Sequence, residues 1–122
     1  MNNFGFFLVA LSFLLTHEMD AVRRQEWNVF PLLSRLNNDQ YGYMLFTIIH
    51  VPLYLLLFWG LFSPDGAINQ AVVTGFDVFC LVHVVLHLLF VRHPRYRFNN
   101  WFSWTLILGA GLAGGADLLL RL

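Results

Sequence analysis

The N-terminal hydrophobic stretch of this chain is too short to cross a membrane unless charged residues go with it. Residues 4–16 are mostly apolar, and His17, Glu18 and Asp20 follow directly. A helix rises about 1.5 Å per residue and the hydrocarbon layer is about 30 Å thick, so a spanning helix needs about 20 residues. It therefore carries the imidazole and both carboxylates to the membrane boundary or inside it. Ionisable groups in such positions usually face a bundle interior and mark a site, a pathway or a structural pair.

The composition is typical of a membrane protein. Of 122 residues, 58% are hydrophobic and 11% are charged, whereas soluble domains have about 25% charged residues. Seven basic residues balance seven acidic ones, and this lack of excess positive charge argues against a nucleic-acid partner. The N-terminus has neither a basic segment nor a small-residue cleavage site before His17, so we expect a retained helix rather than a signal peptide.

Three further apolar stretches complete the architecture. We predict an all-α, polytopic membrane four-helix bundle that forms a single domain over residues 1–122, with helices at about 4–26, 40–62, 67–91 and 100–120. Residues 27–36 are expected to lie in the membrane interface, and residues 37–39 to turn the chain back. Pro52 predicts a kink in the second helix.

The arginines predict the orientation in the membrane. They cluster after the first helix and after the third, and none lies between the second and third. The positive-inside rule therefore places these two connections in the cytoplasm and both termini outside, with a bacterial inner membrane as the expected location. The clustered residues are Arg23, Arg24 and Arg35 in the first connection and Arg92, Arg95 and Arg97 in the second.

Four histidines from three predicted helices fall in one layer of the cytoplasmic half. His83 and His87 are four residues apart, so both imidazoles lie on one helix face. Histidines and carboxylates on facing helices supply the ligands that zinc or iron sites use. We therefore predict a metal site. Its expected metal residues are His17, His50, His83, His87 and Asp20, the last as a ligand or as an acid that orients one, with Glu18 as a general base.

Other interpretations of these residues stay open. They could form a hydrogen-bonded polar core that fixes helix register, or take part in proton transfer. A haem could be held by His50 and one histidine of the third helix. That arrangement leaves His17, Glu18 and Asp20 without a role, so we rank haem below a metal ion.

Several other residues receive simpler interpretations. Glu26 could pair with Arg23 or serve the metal site from outside, and we favour the ion pair. We expect Asp117 to pair with Arg121 four residues later. Cys80, the single cysteine, is expected to be a small core residue.

The fourth predicted helix carries a small-residue pair, Gly111 and Gly115. This spacing allows a neighbouring helix to approach closely, either inside the bundle or in a homo-oligomer.

Residues 16–27, read with His50 and residues 83–87, resemble small uncharacterised bacterial multi-pass membrane proteins that open with a His-Glu-x-x-Asp signature. They also distantly resemble the His-x-x-Glu-Glu domain proteins, although the spacing here is His17-Glu18-x-Asp20. The resemblance implies no activity. Membrane desaturases use a His-x-x-x-His box like that of His83 and His87, but their further His-x-x-His-His boxes are absent from this sequence.

The leading interpretation is a membrane protein with a zinc or iron site near the cytoplasmic face, which would suit a small metal-dependent enzyme acting on a lipid or a membrane-soluble substrate. The alternative is a non-catalytic accessory subunit of a larger membrane complex, with contacts to protein or tetrapyrrole.

Overall fold

The computed structural model describes residues 4–29, 33–36 and 38–122. In these ranges the chain is helical, with no strand. All four α-helices are long and apolar enough to cross a membrane, so the predicted all-α four-helix architecture is confirmed. The α-helices are α1 (Gly5–Arg23), α2 (Asp39–Leu61), α3 (Gln70–Phe90) and α4 (Trp101–Arg121), and two short 3₁₀ helices cover Glu26–Asn28 and Leu33–Arg35.

Asparagine side chains cap the start of three helices. Oδ1 of Asn38 accepts from two backbone N–H groups of α2, Oδ1 of Asn69 does the same for α3, and Asn100 accepts from one N–H of α4. Such caps satisfy N–H groups that lack a partner inside the helix, and each contributes about 1 kcal/mol. The cap at Asn69 starts α3 at Gln70, three residues after the predicted start.

The first helix ends earlier than the sequence suggested. It stops at Arg23 because Gln25 adopts a left-handed conformation, with φ 54° and ψ 53°, which a right-handed helix does not accept. The chain reverses there, and the 3₁₀ helix that follows is buried. In the segment expected at the interface, residues 30–32 lie outside the described residues, as does residue 37 of the expected turn.

The bundle is asymmetric. α4 packs against α1 on one side and against α3 on the other, whereas α2 packs more loosely against α3 and the 3₁₀ segments. An apolar cluster built around Phe7, Phe76 and Ala110 joins α1, α3 and α4. A second cluster around Trp27, Phe98 and Ile107 fills the end where the 3₁₀ segments lie. Long apolar side chains of α2 are exposed along most of its length.

Glycines of α4 let it lie close to α3. A Cβ added at Gly111 would clash with Val84, and one at Gly114 would lie 3.0 Å from the Cβ of Cys80. At Gly115 the added Cβ would lie 3.3 Å from Leu81. The small-residue stripe is therefore used inside the bundle.

We expect Gly111→Leu to lower the melting temperature in detergent, because overpacking a tight helix contact costs about 1–3 kcal/mol. Gly75→Leu on α3 is the matched control, since a Cβ there meets nothing within 4 Å. Circular dichroism melts of the two variants test the contact. Equal melting temperatures for parent and Gly111→Leu would contradict it.

Candidate metal centre

Three imidazoles and one carboxylate meet at the end of the bundle that holds the two 3₁₀ helices. His17 comes from the last part of α1, His83 and His87 from the last two turns of α3, and Glu26 from the first 3₁₀ helix. All four side chains are buried, and one potential ligand atom of each lies within 4.8 Å of the others. We call these four residues the His/Glu cluster.

The carboxylate of Glu26 lies at the centre of this cluster. Its Oε2 is 3.3 Å from Nε2 of His17, and its Oε1 is 3.4 Å from Nε2 of both His83 and His87. In a tetrahedral zinc site with bonds of about 2.0–2.1 Å, neighbouring ligand atoms are about 3.3 Å apart. Each imidazole nitrogen lies at about that distance from one of the two oxygens of Glu26. The candidate ligand atoms lie within 4.8 Å of one another, so they would move slightly closer together around an ion.

Several polar atoms of the His/Glu cluster lack hydrogen-bond partners. Nε2 of all three histidines and Oε2 of Glu26 are buried. Each nitrogen lies 3.3–3.4 Å from an oxygen of Glu26, but none of these four atoms makes a well-aligned hydrogen bond within the described part of the chain. Leaving a buried polar atom unpaired costs about 1–3 kcal/mol. One cation among the four side chains would satisfy these atoms together, so the residues fit a metal ion.

The connection between α3 and α4 holds one of the imidazoles in place. The hydroxyl of Tyr96 lies 2.8 Å from Nδ1 of His87, which leaves Nε2 of that ring directed at Glu26. Phe98 packs against the rings of both His87 and His17, with centroids 4.7 and 5.6 Å away. Metal-ligating histidines commonly have such a partner on the second ring nitrogen.

The protonation state of Glu26 suits a ligand. Burial alone raises the pKa of this carboxyl, but the three imidazoles outweigh burial and hold the pKa well below its usual range. Glu26 is therefore an anion, and it supplies negative charge that would offset that of a bound cation.

Asp20 lies elsewhere, although it is only one turn beyond His17. Its Oδ2 accepts a hydrogen bond from the hydroxyl of Ser103 at 2.5 Å, and its Oδ1 is 3.2 Å from Nε of Arg24. Asp20 thus links the end of α1 to the first turn of α4.

His50 and Glu18 form a separate pair that bridges α2 and α1. Nε2 of His50 is 2.6 Å from Oε2 of Glu18, and its Nδ1 is 2.6 Å from the carbonyl oxygen of Phe46. A carbonyl oxygen can only accept, so Nδ1 carries a hydrogen. This short contact ties the middle of α2 to the last part of α1.

The structure thus brings together three of the predicted site residues, His17, His83 and His87, and adds Glu26. The sequence pattern favours pairing of Glu26 with Arg23 because it predicts that α1 continues through residue 26. On such a helix Glu26 would lie about 13 Å beyond His17 and on the opposite face. The left-handed residue at the reversal is Gln25 and not a glycine, so the sequence does not show that the chain brings Glu26 back to His17.

A second set of polar residues lies at the other end of the bundle, where α3 begins and α4 ends. Nε of Arg121 is 2.8 Å from Oδ2 of Asp117, which confirms the predicted pair. The same guanidinium contacts Asp77 and donates to the hydroxyl of Thr74 at 3.0 Å. Asp77 lies beside Cys80 in the helix, and Cys80 is a buried residue of the apolar core, as expected.

Comparison with known proteins assigns the chain to a family but does not indicate an activity. No curated protein and no solved structure matches it. A match to one protein family covers residues 3–122, which agrees with the resemblance to uncharacterised proteins but does not test the proposed His-Glu-x-x-Asp signature. The chain belongs to this family, a family of unknown function designated DUF6713.

Proposed function

We propose that this chain is an integral membrane protein that binds one zinc ion through the His/Glu cluster. The observation that supports this most strongly is the convergence of three unpaired imidazole nitrogens on one buried carboxylate. Membrane proteins rarely bury ionisable groups without using them. A cation gives all four residues a common role.

The donor set favours zinc over iron. Three neutral nitrogens and one carboxylate oxygen match the tetrahedral coordination of Zn²⁺. Non-haem iron sites commonly use two histidines and one carboxylate and keep several positions open. Haem is less suitable, since Nε2 of His50 contacts Glu18 whereas Nε2 of His83 and of His87 contact Glu26. His50 and a histidine of α3 therefore do not face each other across a macrocycle.

A bound zinc ion would also suit a metal-dependent enzyme that acts on a lipid. Catalytic zinc keeps one position for water or substrate, and a cavity of about 10 Å³ lies against Glu26, His83 and His87. That space is close to the minimum for one water molecule. A water molecule bound to zinc would have room in this cavity, which Tyr96 and Phe98 also line.

We also propose that the His/Glu cluster lies near the cytoplasmic face of a bacterial inner membrane, with both termini outside. The two arginine-rich connections lie at the same end of the bundle, where the side chain of Arg95 donates to Asn28. Clustered positive charge at one end favours the cytoplasmic side.

Purified parent protein should contain close to one zinc per chain by elemental analysis. Glu26→Gln and His83→Ala should lower zinc affinity at least about 10-fold, because the first removes the negative charge that offsets the cation and the second removes a nitrogen ligand. His50→Gln and His93→Ala are the matched controls and should retain zinc. Parent protein that holds no zinc or iron, and takes up neither when supplied, would contradict the proposal and favour a polar core in a non-catalytic accessory subunit.

Tyr96→Phe should weaken zinc binding about 10-fold while leaving the ligands in place, because it removes the hydrogen bond that orients His87. Tyr43→Phe, on the exposed side of α2, should leave affinity unchanged. Competition against a zinc-binding dye gives both values. Equal affinities in the two variants would show that Tyr96 does not support the metal site.

Single-cysteine labelling tests the orientation. In a Cys80→Ala background, Asp65→Cys should react with a membrane-impermeant maleimide from outside intact cells, and Arg97→Cys only after the cytoplasmic face is opened. The reverse pattern would invert the topology and place the His/Glu cluster on the opposite side.

A further inference from the structure

A long cleft separates α2 from α1 and α3. It has a volume of about 580 Å³, within the range of about 300–1,000 Å³ that is usual for small-molecule sites. Its walls are mostly aliphatic and aromatic, and include Leu14, Leu53, Leu57, Val72, Phe76 and Phe79. Because α2 packs loosely, the cleft opens along the length of the helices, where the hydrocarbon of a membrane would lie.

One end of the cleft is polar. Glu18 and His50 line it there, and their side chains keep 16% and 20% of their surface exposed. At the other end lies Asn69, whose side-chain oxygen already caps α3. A carboxylate has about four lone-pair directions, and His50 uses one, so Glu18 retains capacity to accept a hydrogen bond from a molecule in the cleft.

We propose that this cleft binds a membrane-dissolved amphiphile with a long apolar chain and a neutral, hydroxyl-bearing head. The chain lies between α2 and α3, and the head hydroxyl donates to the carboxylate of Glu18. A carboxylate head is disfavoured, because it would bring a second acidic group against Glu18 and has no hydroxyl to donate.

This site is distinct from the His/Glu cluster but adjacent to it. Phe79 forms part of the cleft wall and packs against the ring of His83, with centroids 5.6 Å apart. Glu18 directly follows His17 in α1. Amphiphile binding in the cleft does not require a bound metal, and it can be measured on protein with or without zinc.

The test is photolabelling of the full chain in phosphatidylcholine vesicles with a long-chain fatty alcohol that carries a terminal diazirine. We expect labels on the faces of α2 and α3 that line the cleft. Unlabelled alcohol should compete at least about 10-fold better than its methyl ether or the corresponding fatty acid, since hydrogen bonds to charged groups are among the stronger ones. Equal competition by all three would overturn the proposed head recognition.

Three variants test the location of the site and the recognition of the head group. Gly75→Leu should fill the cleft without a clash, because a Cβ at Gly75 meets nothing within 4 Å, and should reduce labelling about 10-fold. Val85→Leu, exposed on α3 away from the cleft, should not. Glu18→Leu should remove the preference for alcohol over ether.

Labelling that spreads over α2 and α4 and ignores Gly75→Leu would overturn the binding site itself. Zinc content measured on the same Gly75→Leu sample should match that of the parent. Loss of labelling with retained zinc would therefore support the cleft without bearing on the metal proposal.

Discussion

The burial of the Glu26 carboxylate is the constraint on which the polar end of this bundle depends. Glu26 is only 4% exposed, and moving an anion into such a place is costly unless nearby groups compensate. Compensation comes from α1 and α3, through His17, His83 and His87. The Glu26 carboxylate therefore determines how the segment after α1 packs against α1 and α3.

The four helices do not all pack equally tightly around that junction. Glycines allow α4 to approach α3 closely, and the contacts of Arg121 with Asp77 and Asp117 tie the same two helices together at their other end. The link between Asp20 and Ser103 joins α1 to α4. α2 has fewer such ties, and the cleft beside it follows from that difference.

The four helices could be predicted from the sequence, because a long apolar stretch that crosses a membrane has few structures available besides a helix. It also predicted that His83 and His87 share a face with each other and a depth with His17. It could not predict which way α2 is turned about its axis, and His50 faces Glu18 rather than the His/Glu cluster. Nor could it predict the left-handed conformation at Gln25, since glycine, the residue that usually marks one, is missing there.

We propose that His17, Glu26, His83 and His87 bind one metal ion together. X-ray absorption at the zinc edge on purified protein tests this most directly, because the outer-shell scattering of imidazole rings reports how many histidines bind the metal. We predict about four nitrogen or oxygen ligands at about 2.0–2.1 Å, three of them imidazoles, with no sulfur, and the loss of one imidazole in His83→Ala. A sulfur-containing shell, or an imidazole count unchanged by His83→Ala, would contradict this assignment.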